Sequence, residues 1–557
     1  MRNAGRLLLP IGTTNYKKIC DNYYYVDKTL MIKDILDEGT EISLFTRPRR
    51  FGKTLNMDML RTFFEKQEED TSRYFTDKKI WQQGEAYTKH QGKYPVIYLS
   101  LKDANKFTWP DLYARLIETI RDEFFRHSEL NDSPKISNPE FYKKIIAGQA
   151  TEAEYSISIL RLSRMLREHY GQSVILIIDE YDTPIQAGYI NGFYNEAIQF
   201  IRDLFSSALK DNDNLAFGFL TGILRVAKES IFSGLNNIYV YSVLDDKFSD
   251  YFGFTDMEVK QLAHYYALDD KLVEIKEWYD GYRFGEVEIY NPWSVLSYLK
   301  NGCKAIPYWV QTSSNSTINT ILRNLDGETY QKLKDIINGT AISSIVSTNV
   351  IYPELKDKSA NIFGFLLMTG YLKSRRTNFT MRGNILCELC IPNKEIENVY
   401  YNEILAQLAD GVSINTTNVL SEALLHKDDV LLKQSLNKFL LETISFYDTL
   451  NENYYHGLLL GMTVIFAHDY YISSNRESGL GRYDIMLVPK QAGLPGIVIE
   501  VKSTEKSSPA ALKALASGAL EQINTSKYDT ELVKHGVKLI YKYGIAFSGK
   551  QAEIMTN

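Results

Sequence analysis

Cysteine is scarce in this chain: four in 557 residues argue against a disulfide-built scaffold. Cys387 and Cys390 have the spacing of half a zinc site, but no second Cys or His pair lies nearby to complete four ligands, and the run Asn384–Ile391 reads as a strand. No apolar run reaches eighteen residues, so no membrane-spanning helix and no membrane partner are expected. The opening Met1-Arg-Asn-Ala-Gly-Arg6, followed by Leu7-Leu-Leu-Pro10, is too brief for a secretory signal, which makes a cytoplasmic protein the expectation. A surplus of positive charge is missing too. A net charge of −6 excludes a broad basic surface for bulk nucleic-acid binding and leaves only local patches. Long Gly/Ser or Pro-rich tracts, internal repeats and low-complexity segments are all absent, so the domains are expected to communicate directly.

What remains is an ordinary globular composition, 44% hydrophobic and 24% charged, in a chain too long for one core; two or three domains are expected. The 39 tyrosines are scattered through helix and strand patterns, which suits core and interface packing better than base stacking.

The most informative motif follows the short apolar run Glu41–Thr46. Arg47-Pro48-Arg49-Arg50-Phe51-Gly52-Lys53-Thr54 reads as a phosphate-binding loop whose first glycine is replaced by Arg47. A nucleoside triphosphate needs backbone N–H groups around its phosphates, a lysine on the outer phosphates and a hydroxyl on Mg²⁺; Gly52, Lys53 and Thr54 fit those roles. The apolar run Leu55–Phe64 then places a helix N-terminus against the phosphates. Because arginine does not readily take positive φ, the loop entry must be shaped differently, with Pro48 as a candidate.

Val174-Ile-Leu-Ile-Ile-Asp-Glu180 supplies independent support. It is a β-branched run ending in two acids, as expected of a strand buried on both faces. Asp179 is positioned to serve Mg²⁺ and Glu180 to act as the catalytic base. Val96–Leu101 and Leu215–Leu220 complete a parallel sheet, with Thr221 a candidate γ-phosphate sensor. Arg225 is either a phosphate-contacting arginine or an ion-pair residue.

Together with Tyr24-Tyr-Val-Asp-Lys-Thr29, Ile178-Asp-Glu-Tyr-Asp-Thr-Pro184, Trp278-Tyr-Asp-Gly-Tyr282 and Tyr290-Asn-Pro-Trp-Ser294, the loop resembles the bacterial AAA-ATPase-like family, a relative of STAND and AAA+ ATPases. The resemblance runs from about Leu9 to about Tyr308, and it implies that arginine in place of the first glycine is normal. ATP and Mg²⁺ are the implied ligands, with residues 47–54, Asp179, Thr221 and Arg225 around the nucleotide. Assembly into a homo-oligomer is also common among such ATPases.

An α/β architecture follows: a P-loop NTPase parallel sheet in residues 1–254, a helical, winged-helix-like lid or plain packing cap in 255–308, and a helical connector in 309–448. In the connector the run Phe363–Leu372 demands burial. Helices are predicted over Trp109–Arg126, Glu152–Tyr170, Asn195–Leu209, Asp256–Tyr266 and Lys271–Trp278.

A second constellation occupies 449–557, read as an α/β nuclease-like domain. Asp484 opens the strand of Gly481-Arg-Tyr-Asp-Ile-Met-Leu487; Glu500 and Lys502 lie at i and i+2 in Gly496-Ile-Val-Ile-Glu-Val-Lys502 and so face one side. A hairpin would bring Asp484 beside them, placing two carboxylates and an ammonium in one pocket, a set suited to Mg²⁺-assisted phosphodiester cleavage. The pattern resembles the PD-(D/E)XK nuclease superfamily. That resemblance implies a third acid at Glu452, a Gln/Tyr element at Gln522–Tyr528 and a nucleic-acid substrate; the proline of the superfamily name is absent before Asp484. His456 reads as a packed helix-start residue, and Arg482 as a phosphate contact or an ion-pair partner. Two functions compete: an ATPase coupled to a nuclease in defence or DNA processing, and a STAND-like signalling or scaffolding switch with a non-cleaving carboxyl domain.

Overall fold

Five apolar runs pair into one sheet in the computed structural model: β1 (Ile42–Thr46), β2 (Val96–Ser100), β3 (Val174–Asp179), β4 (Leu215–Gly222) and β5 (Ile238–Tyr241). The order is β2-β3-β4-β1-β5 with every pair parallel. Every residue of β1 and β3 is buried, as a parallel sheet covered on both faces requires. Parallel strands share one carboxyl edge, and β4 lies between β1 and β3, so Thr46, Asp179 and Thr221 meet there. β5 was not anticipated: it is a four-residue edge strand, Ile-Tyr-Val-Tyr, that leaves Tyr239 half exposed.

Residues 6–226, 237–309, 339–350, 352–354, 359–400, 414–443, 452–463, 469–474, 477–479, 481–504 and 508–557, with 329, 332, 333, 335, 336 and 466, are described. Described residues up to Glu397 form one compact unit and those from Asn398 onward a second, so the stretch 309–448 is shared between them.

In the first unit the loop 47–52 joins β1 to α1 (Lys53–Phe64). The helix Trp109–Arg126 starts as its sequence dictates: Thr108 accepts from the Asp111 N–H, Pro110 sits in the first turn, and Leu112, Leu116, Ile120 and Phe124 form the buried stripe. The single helix expected over Glu152–Tyr170 is two, Glu152–Ser156 and Ser158–Tyr170. Between them β-branched Ile157 leaves the helical region, at φ −107° and ψ 4°, and the Ser158 hydroxyl donates to the Tyr155 carbonyl at 2.7 Å.

Residues 255–308 are mostly helical, with Asp256–Tyr266, Leu272–Tyr279 and α2 (Pro292–Lys300), plus a small hairpin of 282–284 with 287–289. Their core of Val259, Leu262, Ile275, Tyr279 and Val295 takes in Leu9, Ile11, Tyr24 and Val26 of the amino-terminal segment. Further on come β6 (Ile342–Val346), α3 (Ser359–Met368), β7 (Lys373–Phe379) and β8 (Ile385–Cys390), in an antiparallel sheet of order β7-β8-β6. This is the strand, helix and hairpin sequence of a winged helix.

The second unit holds helices Ile414–Leu425 and Asp429–Thr443, then α4 (Glu452–Thr463), and a mixed sheet. The sheet is ordered β9 (Tyr470–Ser474), β10 (Ile485–Pro489), β11 (Gly496–Ser503), β12 (Ile540–Ser548) and β13 (Gln551–Thr556), with only β11 and β12 parallel. The parallel pair needs a crossover, supplied by α5 (Pro509–Thr525) and the short helix Thr530–Lys534. Leu436 and Leu440 share one core with Ile485, Ile499, Val501 and Phe547.

Candidate functional site

The loop between β1 and α1 is built on two left-handed residues. Gly52, at φ 83°, caps α1, and Arg50, at φ 71°, takes a conformation that costs a non-glycine residue about 1–3 kcal/mol. The Arg50 guanidinium lies 4.1 Å from the Trp293 ring centroid, and burial pushes its pKa down to about 10. Arg47 has a different place from that expected of a phosphate contact. It is fully buried, donates to the carbonyls of Thr46 (2.9 Å), Tyr241 (2.7 Å) and Phe248 (3.2 Å), and is flanked by the rings of Phe252 and Phe284. Its side chain ties β1 to β5, so what it offers the loop is backbone. Pro48 contributes its carbonyl, Phe51 is buried against Tyr282 and Phe284, and Arg49 donates to Gln186 at 3.2 Å.

Lys53 is buried and donates to the carbonyls of Arg47 (3.1 Å) and Pro48 (3.0 Å). Burial lowers its pKa, opposed by Glu180, Asp182 and Asp179. The Thr54 hydroxyl donates to Asp179 Oδ2 at 2.7 Å and the Thr221 hydroxyl to Asp179 Oδ1 at 2.5 Å, so three strand or loop ends converge on one buried carboxylate. Glu180, at φ 55°, follows directly; burial raises its carboxyl pKa, Asp179 and Asp182 add to that, and Lys53 opposes.

Two further residues had no role assigned from the sequence. Asp182 accepts from the N–H groups of Ile223 (2.8 Å) and Leu224 (3.0 Å), and the Tyr181 hydroxyl bridges the Leu224 carbonyl and the Val226 N–H. They clamp the segment after β4 to the segment after β3, and Gly222 is needed there because a Cβ would lie 2.5 Å from the Tyr181 ring. Arg225 sits just beyond, on a two-residue strand paired in parallel with Asn349–Val350.

A cavity of about 340 Å³ adjoins the loop, with Lys53, Thr54 and Glu180 on one wall and Tyr24, Val26 and Trp293 on another. The apolar wall was missed in the sequence reading, because its signal lies in two motifs, Tyr24–Thr29 and Tyr290–Ser294, far from the loop in sequence.

In the second unit the expected hairpin forms between β10 and β11. Asp484, just before β10, accepts from the Val501 N–H at 2.7 Å. Glu500 is 1% exposed; its Oε1 accepts from Lys502 Nζ at 2.9 Å, while its Oε2 is buried with no hydrogen-bond partner among the described residues. Burial, then Asp484, pushes the Glu500 pKa up to about 7. Burial alone would lower the Lys502 pKa, but Glu500, Glu452 and Asp484 hold it above the usual value. Glu452, exposed at the start of α4, lies 3.9 Å from Lys502 Nζ. His456, one turn on, is buried with Nε2 3.1 Å from the Asp484 carbonyl and 3.1 Å from Ser474 Oγ. Gln522 donates to the hydroxyl of buried Tyr528 at 3.1 Å.

Residues 10–232 match the family model described as a predicted AAA-ATPase, and residues 450–557 match that of the PD-(D/E)XK nuclease superfamily. The chain joins an AAA-ATPase-like domain to a PD-(D/E)XK nuclease superfamily domain. Among curated relatives, an uncharacterized protein in the vnfD 5' region of Azotobacter chroococcum mcd 1 is 26% identical over 490 residues, covering 86% of this chain and 81% of its own length. A solved structure, Drosophila ORC bound to AT-rich DNA and Cdc6, aligns with 70% of this chain and 91% of that chain at 10% identity, with a TM-score of 0.19 that bears no weight.

Both domains were tested for fit to a divalent cation. In the AAA-ATPase-like domain the Thr54 hydroxyl and Asp179 carboxylate are hard oxygens already in contact, the donor set Mg²⁺ prefers. In the nuclease superfamily domain the partnerless Glu500 Oε2 and the neighbouring Asp484 carboxylate fit the same ion. Among the described residues no three His, Cys, Asp or Glu side chains form a metal-holding group. No described helix is long and apolar enough to cross a membrane.

Proposed function

We propose that this protein binds and hydrolyses ATP in its first half and uses that cycle to control Mg²⁺-dependent cleavage of nucleic acid in its second. The observation that carries the reading is the 2.7 Å contact between Thr54 and Asp179, which brings the two nucleotide motifs together from 125 residues apart. In this reading Lys53 exchanges the carbonyls of Arg47 and Pro48 for the outer phosphates, and the N–H groups of residues 50–54 face phosphate oxygens at the positive end of α1. Thr54 and Asp179 would hold Mg²⁺, which neutralises charge on the phosphates. Glu180, its pKa raised by burial, accepts the proton of the attacking water. Thr221 bonds the same Asp179, so it is suited to register the γ-phosphate, with Arg225 the neighbouring guanidinium. Tyr24, Val26 and Trp293 form the apolar wall for the base.

In the second half Asp484 and Glu500 would hold Mg²⁺, whose positive charge supports nucleophilic attack on a phosphodiester. Lys502 orients the attacking water and stabilises charge on the phosphate, and Glu452 supports Lys502. A nicking assay with supercoiled plasmid, Mg²⁺ and either ATP or none tests this reading. Cleavage that is lost in Asp484→Ala/Glu500→Ala and altered by Lys53→Ala is expected. Cleavage surviving the double change rules the nuclease site out and leaves the switch with a non-cleaving carboxyl domain.

A further inference from the structure

The β7–β8 hairpin differs in composition from the rest of the chain. From Lys373 to Asn384 it carries Lys373, Arg375, Arg376 and Arg382 and no acid, in a protein of net charge −6; the hairpin's one acid, Glu388, stands on β8 opposite Arg376. β7 is the edge of its sheet, and the register shift between Ser374 and Arg376 sets Arg375 in a bulge, so successive arginines both stay exposed instead of alternating across the sheet. Neighbouring Arg283 and Lys394 are paired with Glu286 and Glu277; among the described residues no carboxylate pairs with Arg375, Arg376 or Arg382.

At the tip Phe379 is 73% exposed and Met381 wholly exposed. The tip is ordered by its own bonds, Thr380 N–H to the Asn384 carbonyl (2.9 Å) and Gly383 N–H to the Thr380 carbonyl (2.8 Å). The base is anchored where Arg283 donates to the Arg375 carbonyl and where Cys387, Leu389 and Cys390 are buried.

Charged side chains on an edge strand guard against sheet-to-sheet pairing. That purpose explains the arginines but is opposed by a phenylalanine and a methionine held in water beside them, which invite association. Cations flanking an exposed apolar tip suit a duplex: the arginines meet phosphates and the tip meets base edges or a base step in the minor groove. In this winged-helix arrangement α3 is withdrawn from any groove, since Phe363, Phe365, Leu366 and Leu367 are all buried. That leaves the hairpin as the exposed element.

We propose that the β7–β8 hairpin is a binding arm for double-stranded nucleic acid, with Arg375, Arg376 and Arg382 on phosphates and Phe379 and Met381 against the minor groove. The arm lies outside both family-matched segments and needs no cleavage, so it stands apart from the nuclease reading.

The test is fluorescence anisotropy of a labelled DNA duplex with the full chain in EDTA, across a salt series. Arg375→Glu/Arg376→Glu/Arg382→Glu should weaken binding about tenfold or more and reduce the salt slope by about two to three. Phe379→Ala/Met381→Ala should weaken binding about threefold to tenfold with the salt slope unchanged. An Arg→Gln set, checked for retained ATP hydrolysis, covers the case in which charge reversal disturbs folding. Because EDTA withholds the cation that cleavage needs, duplex binding is read independently of the nuclease site, which separates this outcome from failure of that site. Affinity and salt slope that are the same in the parent and all hairpin variants overturn the proposal, as does the absence of duplex binding by the parent. So does a loss confined to phosphatidylserine vesicles, which would assign the arm to a lipid surface.

Discussion

The carboxylates of the two halves are in opposite states of satisfaction. Around β1 and β3, Asp179 holds two hydroxyls and Lys53 two carbonyls; Arg47 holds three carbonyls through its terminal nitrogens, while its Nε and Arg50 Nη1 are buried with no partner among the described residues. Beside β11, Glu500 keeps one buried oxygen unbonded, with its pKa raised to about 7. A satisfied site holds its geometry without help, whereas a buried, unbonded carboxylate costs stability until a proton or a cation reaches it. Both sites carry a carboxyl whose pKa burial raises, Glu180 in the first and Glu500 in the second, but in the second that carboxyl also keeps an acceptor with no partner among the described residues.

The largest effect expected is on the first site. Lys53→Ala should abolish nucleotide binding or hydrolysis, and Glu180→Gln should keep ATP bound while lowering turnover about 10²–10⁴-fold; isothermal titration and phosphate release separate the two. Hydrolysis at the parent rate in Glu180→Gln removes Glu180 as the base. Next, Asp484→Ala/Glu500→Ala should eliminate metal-dependent cleavage with ATP hydrolysis retained, because separate sites behave independently. Unchanged calorimetric affinity for Mg²⁺ in that double variant would defeat the metal assignment.

Arg47→Met tests the satisfied side of the comparison. It leaves the carbonyls of Tyr241 and Phe248 without a donor, so the first unit should lose about 2–4 kcal/mol in denaturant melts, before any effect on phosphate contact. On the unsatisfied side the sign runs with pH. Glu500 has a folded pKa above its unfolded value, so its protonated form is the one folding favours, and its unfavourable contribution grows as pH rises from about 4.5 to about 7 and then levels. Glu500→Gln should therefore be stabilised relative to the parent by about 1–2 kcal/mol above pH 7 and by nothing near pH 4. Mg²⁺ should reverse that order by stabilising only the parent. The smallest effect belongs to Trp293→Ala, which removes the ring under Arg50 and should cost the loop about 0.5–1 kcal/mol, read as a slight rise in the dissociation constant for ATP.

Legibility in the sequence tracked the range of the physics involved. β1, β3 and β4 could be read because burial on both faces leaves an unbroken apolar run, and the Glu500–Lys502 pair because strand period alone sets which side chains share a face. The edge strand β5 is apolar too, but at four residues with Tyr239 half exposed it is too short a run to stand out. The place of Arg47 was hidden because its partners, Tyr241 and Phe248, lie about two hundred residues away. The apolar wall of Tyr24, Val26 and Trp293 was hidden for the same reason. The break at Ile157 is a single residue that leaves the helical region, at φ −107° and ψ 4°, a departure that periodicity does not register.

The bonds that join Thr54, Asp179 and Thr221 also bear on how the chain folds. They span 125 and 42 residues, and the Lys28–Glu258 pair, whose lysine lines the same cavity, spans 230. Closing such loops consumes chain entropy before any contact compensates for it, so these bonds belong among the late events of folding and the nucleotide pocket matures after the strands have paired. A ligand that recognises only the finished pocket then draws refolding toward completion by mass action. For a chain emerging from the ribosome, the site becomes available only after Trp293 of its apolar wall has been made, long after the phosphate-binding loop itself.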